Sequence, residues 1–117
     1  MNNNILGFYK PHEGPDELVE VLKTDDYGEL YLEIPTSLRN RAEVVVGNIF
    51  KGEIAGITDA EGNITKKIGE DADMEVKNYW NELHIDNEDA KKHGLKEGDY
   101  LKVVLTRIVQ YGEERSL

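Results

Sequence analysis

The sequence predicts a mainly β fold that also contains short helices. Three observations lead to this prediction: runs of β-branched and aromatic residues between turn residues, one short helix with start and stop signals, and an order of elements that occurs twice. The chain has 117 residues, which suits one domain with its own core. Because two of the three prolines lie within residues 1–17, we expect an irregular N-terminal arm there and a single domain over residues 18–117.

The first part of this domain predicts three strands and a short helix or turn. The segments LVEVLK (18–23) and ELYLEI (29–34) flank TDDYG, whose Asp and Gly residues are typical of a hairpin connection. PTSLRNR (35–41) begins with a proline, which suits the first turn of a helix. The run over 43–57 is rich in β-type residues and predicts a further strand.

The middle of the chain predicts a second hairpin. DAEGN (59–63) is a strong turn signal, so strands over 54–58 and 64–68 are expected to pair across it. GEDADME (69–75) then predicts a solvated acidic loop. EVKNYWNELHI (75–85) predicts a strand.

DNEDAKKHG (86–94) predicts a complete short helix. Asp86 or Asn87 can cap its start, and acidic residues follow in the first turn. Basic residues precede Gly94, which can adopt the left-handed conformation that closes a helix.

Two structural turns are expected at Gly47, Asn48, Gly98 and Asp99. Gly98 supplies a backbone angle that is costly for other residues, and the Asp99 carboxylate accepts nearby backbone N–H groups. The neutral amide of Asn48 predicts a weaker version of the same turn. A long strand follows the second turn. Its core face is expected to consist of Leu101, Val103, Leu105 and Val109.

The two halves of the sequence show an internal repeat. ELYLEIP from residue 29 aligns with ELHIDNE, 53 positions later, and VVGNIFKGEI from residue 45 aligns with KEGDYLKVVL, 51 positions later. The two-residue difference predicts a gap in the helix region. Either a duplication or coincidental β patterning explains the alignment.

The segment DNEDAKKHGLKEGDYLKVV in the second half, with DDYGELYLEIPTSLRN and VVGNIF in the first, covers roughly half of the chain. These residues resemble the GD-box unit of the cradle-loop barrels, a group that includes double-psi, RIFT-type and AbrB-like swapped-hairpin barrels. The resemblance implies a pseudo-twofold β-barrel of about six to eight strands. It does not fix a function, because one fold hosts many activities.

Three members of this group imply different functions. DDYGELYLEIPTSLRN is similar to the opening of AbrB-type DNA-binding domains, although Glu29 stands where those usually carry a basic residue. DAKKHGLKEGD is similar to the barrel that binds molybdopterin dinucleotide, which implies a pterin- or nucleotide-binding subunit of a larger enzyme. The amino-terminal barrels of AAA-type ATPases, a third likeness, bind adaptor or substrate proteins.

Charge and composition argue against several classes of protein. The 14 Lys and Arg residues face 24 Asp and Glu residues, and the resulting net charge of -10 repels nucleic-acid phosphates and anionic lipids. The absence of cysteine excludes disulfides and thiolate metal sites. No apolar run approaches the ~20 residues that span a bilayer, and a signal-peptide pattern is absent. We therefore expect a cytoplasmic protein without membrane contact.

No catalytic or metal-binding motif is evident. The sequence contains no phosphate loop, dinucleotide fingerprint or nucleophile elbow, so it predicts neither an enzyme nor a cofactor. His12, His84 and His93 lack the spacing of metal ligands and are expected to be structural or surface residues.

Two groups of residues are candidate sites. A groove for a peptide or a base is expected from Tyr27, Tyr31, Tyr79, Trp80 and Tyr100. A patch for an anion or nucleic acid is expected from Arg39, Arg41, Lys91, Lys92 and Lys96. We predict a non-enzymatic binding or regulatory module, monomeric or homodimeric, that recognises a protein or small ligand. The alternatives are an AbrB-like transcription regulator and the pterin- or nucleotide-binding subunit.

Overall fold

The structure is a computed structural model that describes the backbone of residues 7–9 and all of residues 15–117. The strands are β1 (Gly7–Tyr9), β2 (Asp16–Val21), β3 (Lys23–Thr24), β4 (Leu30–Glu33), β5 (Ile49–Thr58), β6 (Ile64–Val76), β7 (Glu82–His84), β8 (Tyr100–Gln110) and β9 (Glu113–Ser116). The helices are α1 (Thr36–Ala42) and α2 (Asn87–His93). The predicted mainly β fold with short helices is confirmed.

All of these strands belong to one antiparallel sheet that curls into a half-barrel. The strand order is β1-β2-β8-β5-β6-β7-β4-β3, and β9 also pairs with β8. Alternating side chains of the strands meet in one apolar core around Phe50, Leu32 and Leu83, which are completely buried. Within the described ranges, neither helix has the length or apolar character needed to cross a bilayer.

The predicted second hairpin is confirmed, because the DAEGN turn joins β5 to β6. The predicted acidic loop over 69–75 is wrong, since β6 continues to Val76. Ala72 and Met74 point inward and alternate with exposed acidic residues. This period of two is the pattern of a strand with one solvated face, so the acids lie on the outer face of β6.

The predicted first hairpin is smaller than expected. Only Lys23 and Thr24 pair with β4, whereas β2 pairs with β8 and β1. Both β1 and the start of β2 fall within the predicted arm, residues 1–17. The remaining residues of that arm before Pro15 lie outside the described residues.

The core face of β8 changes partway along the strand. Its predicted core residues up to Leu105 are buried, but Val109 is not part of the core, and Ile108 and Gln110 are buried instead. The register with β5 shifts between Leu105 and Arg107, which inserts one extra residue into β8. Such a bulge exchanges the two faces of a strand beyond it, and this explains the error at Val109.

The repeated unit has one constant offset. Helices α1 and α2 are seven residues long, and both the helices and the strands after them start 51 positions apart. Leu32 and Leu83, which have the same separation, pair with each other. The predicted offset of 53 for the first segment is therefore wrong, and the helix region contains no gap.

The two turns share one geometry. Gly47 has a φ of 100° and Gly98 a φ of 94°, in the left-handed region. The side-chain oxygen of Asn48 accepts the backbone N–H three residues earlier at 2.9 Å, and that of Asp99 does the same at 3.1 Å. Asn48 is only 3% exposed and also accepts the Gln110 amide at 3.1 Å. The Asn48 turn is thus the more strongly connected one, contrary to expectation.

Candidate functional site

The pairing of β4 with β7 builds the candidate site. A pair of leucines in these strands is buried in the core. Because side chains alternate along a strand, their neighbours lie on the opposite face, where Tyr31 pairs with His84 and Glu33 with Glu82. The rings of Tyr31 and His84 stack, with centroids 5.6 Å apart. The outer face of these two short strands therefore collects two rings and two carboxylates.

His84 lies between carboxylates. Its side chain is only 5% exposed. The Nε2 atom is 3.1 Å from Oε1 of Glu82. The Nδ1 atom is 3.4 Å from Oε1 of Glu29 and 3.9 Å from Oδ2 of Asp25, and it has no hydrogen-bond partner among residues 15–117. We call Asp25, Glu29, Glu82 and His84 the histidine–carboxylate cluster.

The Asp25 carboxylate is fixed by the turn that joins β3 to β4. Its Oδ1 accepts the backbone N–H groups of Tyr27 and Glu29, both at 2.9 Å, and its Oδ2 accepts the Asn78 amide at 3.0 Å. Burial acts to raise the pKa of this carboxyl, but the two backbone N–H groups, His84 and Asn78 together lower the pKa below its ordinary value. Asp25 is therefore a preorganised anion.

Glu29 is paired with a lysine from the loop between β6 and β7. The Lys77 Nζ lies 2.9 Å from Oε1 and 3.2 Å from Oε2 of Glu29. This hydrogen bond is the main cause of the raised pKa of Lys77. A cavity of about 290 Å³ opens beside these residues and reaches His84. Asp73 and Glu75 of β6 complete its acidic wall.

A second cavity of about 400 Å³ borders the cluster at Asp25 and Glu82. Its walls include three of the five predicted aromatic residues, together with carboxylates: Tyr27, Tyr31, Tyr79, Asp25, Asp26 and Glu82. We call this the tyrosine groove. Tyr27 is 83% exposed and Tyr79 63%. The pKa of Tyr31 is raised by burial and by nearby carboxylates, first Glu82, which keeps its hydroxyl protonated.

The other two predicted aromatic residues lie outside this groove. The Arg39 guanidinium covers the Trp80 ring, 3.8 Å from its centroid, which is a cation–π contact. Tyr100 begins β8 and pairs with Val21 and Thr58. The structure therefore brings together Tyr27, Tyr31 and Tyr79 and separates them from Trp80 and Tyr100.

The five basic residues of the predicted patch have partners of their own or lie apart. Besides Arg39 on Trp80, Arg41 pairs with Asp16 of β2. Lys92 and Lys96 pair with Glu70 and Asp99, at 2.9 and 3.2 Å. Lys91 lies exposed on α2. Arg41 of α1 contacts β2, whereas Lys92 of α2 contacts β6. Two strands, β8 and β5, lie between β2 and β6 in the sheet. The basic residues of the two helices are therefore paired with different parts of the sheet.

Sequence reasoning missed the histidine–carboxylate cluster. One local signal was present, since Glu82 and His84 are two residues apart on a strand and must share a face. Asp25 and Glu29 come from a turn that precedes Glu82 and His84 by 53 to 59 positions. Their contact with His84 depends on the register of β4 against β7, which no local pattern specifies.

A carboxylate outside the cluster, Glu20 of β2, predicts an unusual dependence of stability on pH. Burial and the nearby Glu33 carboxylate raise its pKa to about 7, against the opposing effect of Lys23. Because the folded state then holds a proton that the unfolded state releases above about pH 4.5, stability falls as pH rises towards 7. The contribution of Glu20 at pH 8 is therefore unfavourable.

We expect Glu20→Gln to exceed the wild type in stability by about 1 kcal/mol at pH 8, a value that allows for solvent screening. The difference is expected to vanish near pH 4.5. Urea unfolding of both proteins from pH 4.5 to 8 measures it. Glu17→Gln, on the same strand beside Lys102, is the control and should show no such gain. Equal stability of Glu20→Gln and wild type at pH 8 would contradict the prediction.

Comparisons with known proteins find no family model that matches the chain, and no significant match among curated proteins or solved structures.

Proposed function

We propose that the chain is a binding module that recognises a cationic segment of a partner protein in the tyrosine groove. One observation carries the proposal: exposed tyrosine rings and carboxylates line the same cavity. Lysine and arginine side chains are attracted both to aromatic faces and to carboxylates. An arginine is favoured further because its planar guanidinium stacks on rings.

The surroundings of the groove support a cationic ligand. The net charge of -10 attracts basic partners and accelerates encounter with them. Tyr27 and Tyr79 expose most of their surface, and exposed aromatic residues are typical anchors of protein interfaces. The neighbouring Asp25 is fixed as an anion by its hydrogen bonds, so a cation there meets a charge that needs no rearrangement.

We further infer that the half-barrel belongs to the cradle-loop type. The constant offset between the two units and the matching left-handed turns at Gly47 and Gly98 support this inference. Within that group, the likeness to barrels that bind adaptor or substrate proteins agrees with recognition of a protein segment. The engagement of Arg39, Arg41 and Lys92 with other side chains weighs against the DNA-binding alternative.

The test uses a fluorescently labelled arginine–glycine peptide and measures its binding by anisotropy. We expect binding that weakens as salt rises, because the attraction is electrostatic. The double variant Tyr27→Ala/Tyr79→Ala is expected to bind about ten-fold more weakly, since two cation–π contacts are lost. Tyr111→Ala is the matched control, because Tyr111 is 85% exposed but lies in the β8–β9 turn; its binding should match the wild type.

Two further ligands complete the design. A glutamate–glycine peptide of equal length should not bind. Spermidine is expected to compete only weakly, because its ammonium groups cannot stack on the tyrosine rings as a planar guanidinium does. Undiminished binding in the double variant would overturn the proposal, as would binding of the acidic peptide. Spermidine binding tighter than the basic peptide would replace the protein segment with a small polycation as ligand.

A further inference from the structure

We propose that Asp25, Glu29 and His84 form a binding site for a divalent first-row transition metal, with zinc as the reference ion. The site goes beyond the proposed function, because it requires no peptide. Its starting observation is the buried Nδ1 of His84, which faces two carboxylates and lacks a hydrogen-bond partner among the described residues. A buried polar atom without a partner is costly, and a cation between it and the carboxylates removes that cost.

The contact at the other ring nitrogen, Nε2, fixes the orientation of the His84 ring. Nε2 lies 3.1 Å from Oε1 of Glu82, and a carboxylate accepts a hydrogen bond there. With its N–H on Nε2, the ring directs the lone pair of Nδ1 towards Asp25 and Glu29. Metal-binding histidines commonly donate their second N–H to a carboxylate in this way. In this arrangement Glu82 orients the ligand, and its own carboxylate lies within 4.8 Å of the ligand atoms of Asp25 and His84.

Both separations from the imidazole nitrogen fit a shared ion. Nδ1 is 3.4 Å from the Glu29 oxygen and 3.9 Å from the Asp25 oxygen. Ligand atoms that each lie about 2.0–2.2 Å from one metal are roughly 3–4 Å from one another. A set of one imidazole and two carboxylates suits zinc or a similar first-row ion better than calcium, which favours a shell of six to eight oxygen atoms.

One cavity gives a metal ion access to the site, and one lysine competes with the ion for Glu29. The cavity of about 290 Å³ beside His84 and Glu29 gives an ion and its remaining water ligands a path to the site. Lys77 competes for the site, because its ammonium holds Glu29 at 2.9 Å. Replacing Lys77 with a neutral residue should therefore strengthen metal binding, whereas a merely structural role of the cluster predicts no such gain.

The experiment titrates the full chain with Zn²⁺ by calorimetry and with Co²⁺ by visible absorption, and Ca²⁺ and Mg²⁺ serve as contrasts. We expect one Zn²⁺ per chain and a Co²⁺ spectrum with ligand-field bands. His84→Phe, which keeps a ring against Tyr31, and Glu29→Gln should each bind at least about ten-fold more weakly. Lys77→Met should bind about ten-fold more tightly, through loss of a nearby positive charge. His93→Gln, which alters another histidine–carboxylate pair, is the matched control and should not differ from wild type.

The outcomes separate this proposal from the peptide proposal. Tyr27→Ala/Tyr79→Ala should bind Zn²⁺ like the wild type, since neither tyrosine belongs to the metal set. If His84→Phe does not fold, Glu29→Gln and Lys77→Met still decide the question with opposite expected signs. No Zn²⁺ binding at about 1 mM, equal binding in Glu29→Gln and wild type, or loss of binding in His93→Gln would each overturn the proposal.

Discussion

Gly52→Ala is expected to destabilise the protein by about 3 kcal/mol. Gly52 lies in β5 next to the bulge of β8, where it pairs with Leu105. A Cβ atom at this position would overlap the carbonyl oxygen of Val104 and lie 2.9 Å from its carbonyl carbon. Both atoms belong to the backbone, so a rotamer change cannot relieve the overlap, and the two central strands must separate. Urea unfolding at constant pH measures the loss of stability.

Gly98→Ala is the control for this substitution. Gly98 has a φ of 94°, yet nothing lies within 4 Å of an added Cβ. Its replacement therefore costs only backbone strain, about 1 kcal/mol. If Gly52→Ala were no more destabilising than Gly98→Ala, the close approach of β5 to β8 at the bulge would be incorrect.

Asn48→Ala is expected to cost about 2–3 kcal/mol. The buried side-chain oxygen of Asn48 accepts the Val45 N–H and the Gln110 amide. The same Gln110 amide also binds the backbone oxygens of Ala42 and Glu43 at the end of α1. Removing the oxygen leaves the Val45 N–H without this acceptor, takes one of three acceptors from the buried Gln110 amide and loosens the end of the helix. Thermal and urea unfolding measure the effect.

The repeat supplies a matched comparison in Asp99→Ala. Asp99 occupies the equivalent turn, but its bonds to the Lys96 backbone and side chain are exposed, so water can replace them. We expect a cost of about 1 kcal/mol or less. The larger effect at Asn48 follows from burial and from Gln110, which the sequence pattern did not reveal. A larger loss in Asp99→Ala than in Asn48→Ala would contradict this account of the two turns.

Local signals predicted the elements that are specified locally. Helix α2 follows its cap and closing glycine, with Asp86 accepting the Glu88 N–H at 3.0 Å and Gly94 in the left-handed conformation. The hairpin of β5 and β6 follows the DAEGN turn, where Asp59 accepts the Asn63 N–H at 2.9 Å. In each case the determining hydrogen bonds lie within a few residues of one another.

Elements that depend on distant pairing could not be predicted in the same way. The acidic segment 69–75 has a low intrinsic preference for strands, but β5 supplies a continuous partner and makes it part of β6. The bulge in β8 depends on its alignment with β5. The candidate site has the same limit, since Asp25 meets His84 only after β4 pairs with β7. The tyrosines were identified by residue type, but only the fold shows which of them share a groove.

The central claim, recognition of a cationic segment in the tyrosine groove, is tested most directly by an NMR titration. The ¹⁵N-labelled protein is titrated with the arginine–glycine peptide, and the shift of each backbone amide is followed. The account predicts that the largest shifts lie at residues 24–27 and 78–79 and around Tyr31 and Glu82, the lining of the groove. Shifts concentrated elsewhere, such as on the acidic outer face of β6, or the absence of shifts at a saturating peptide concentration, would contradict it.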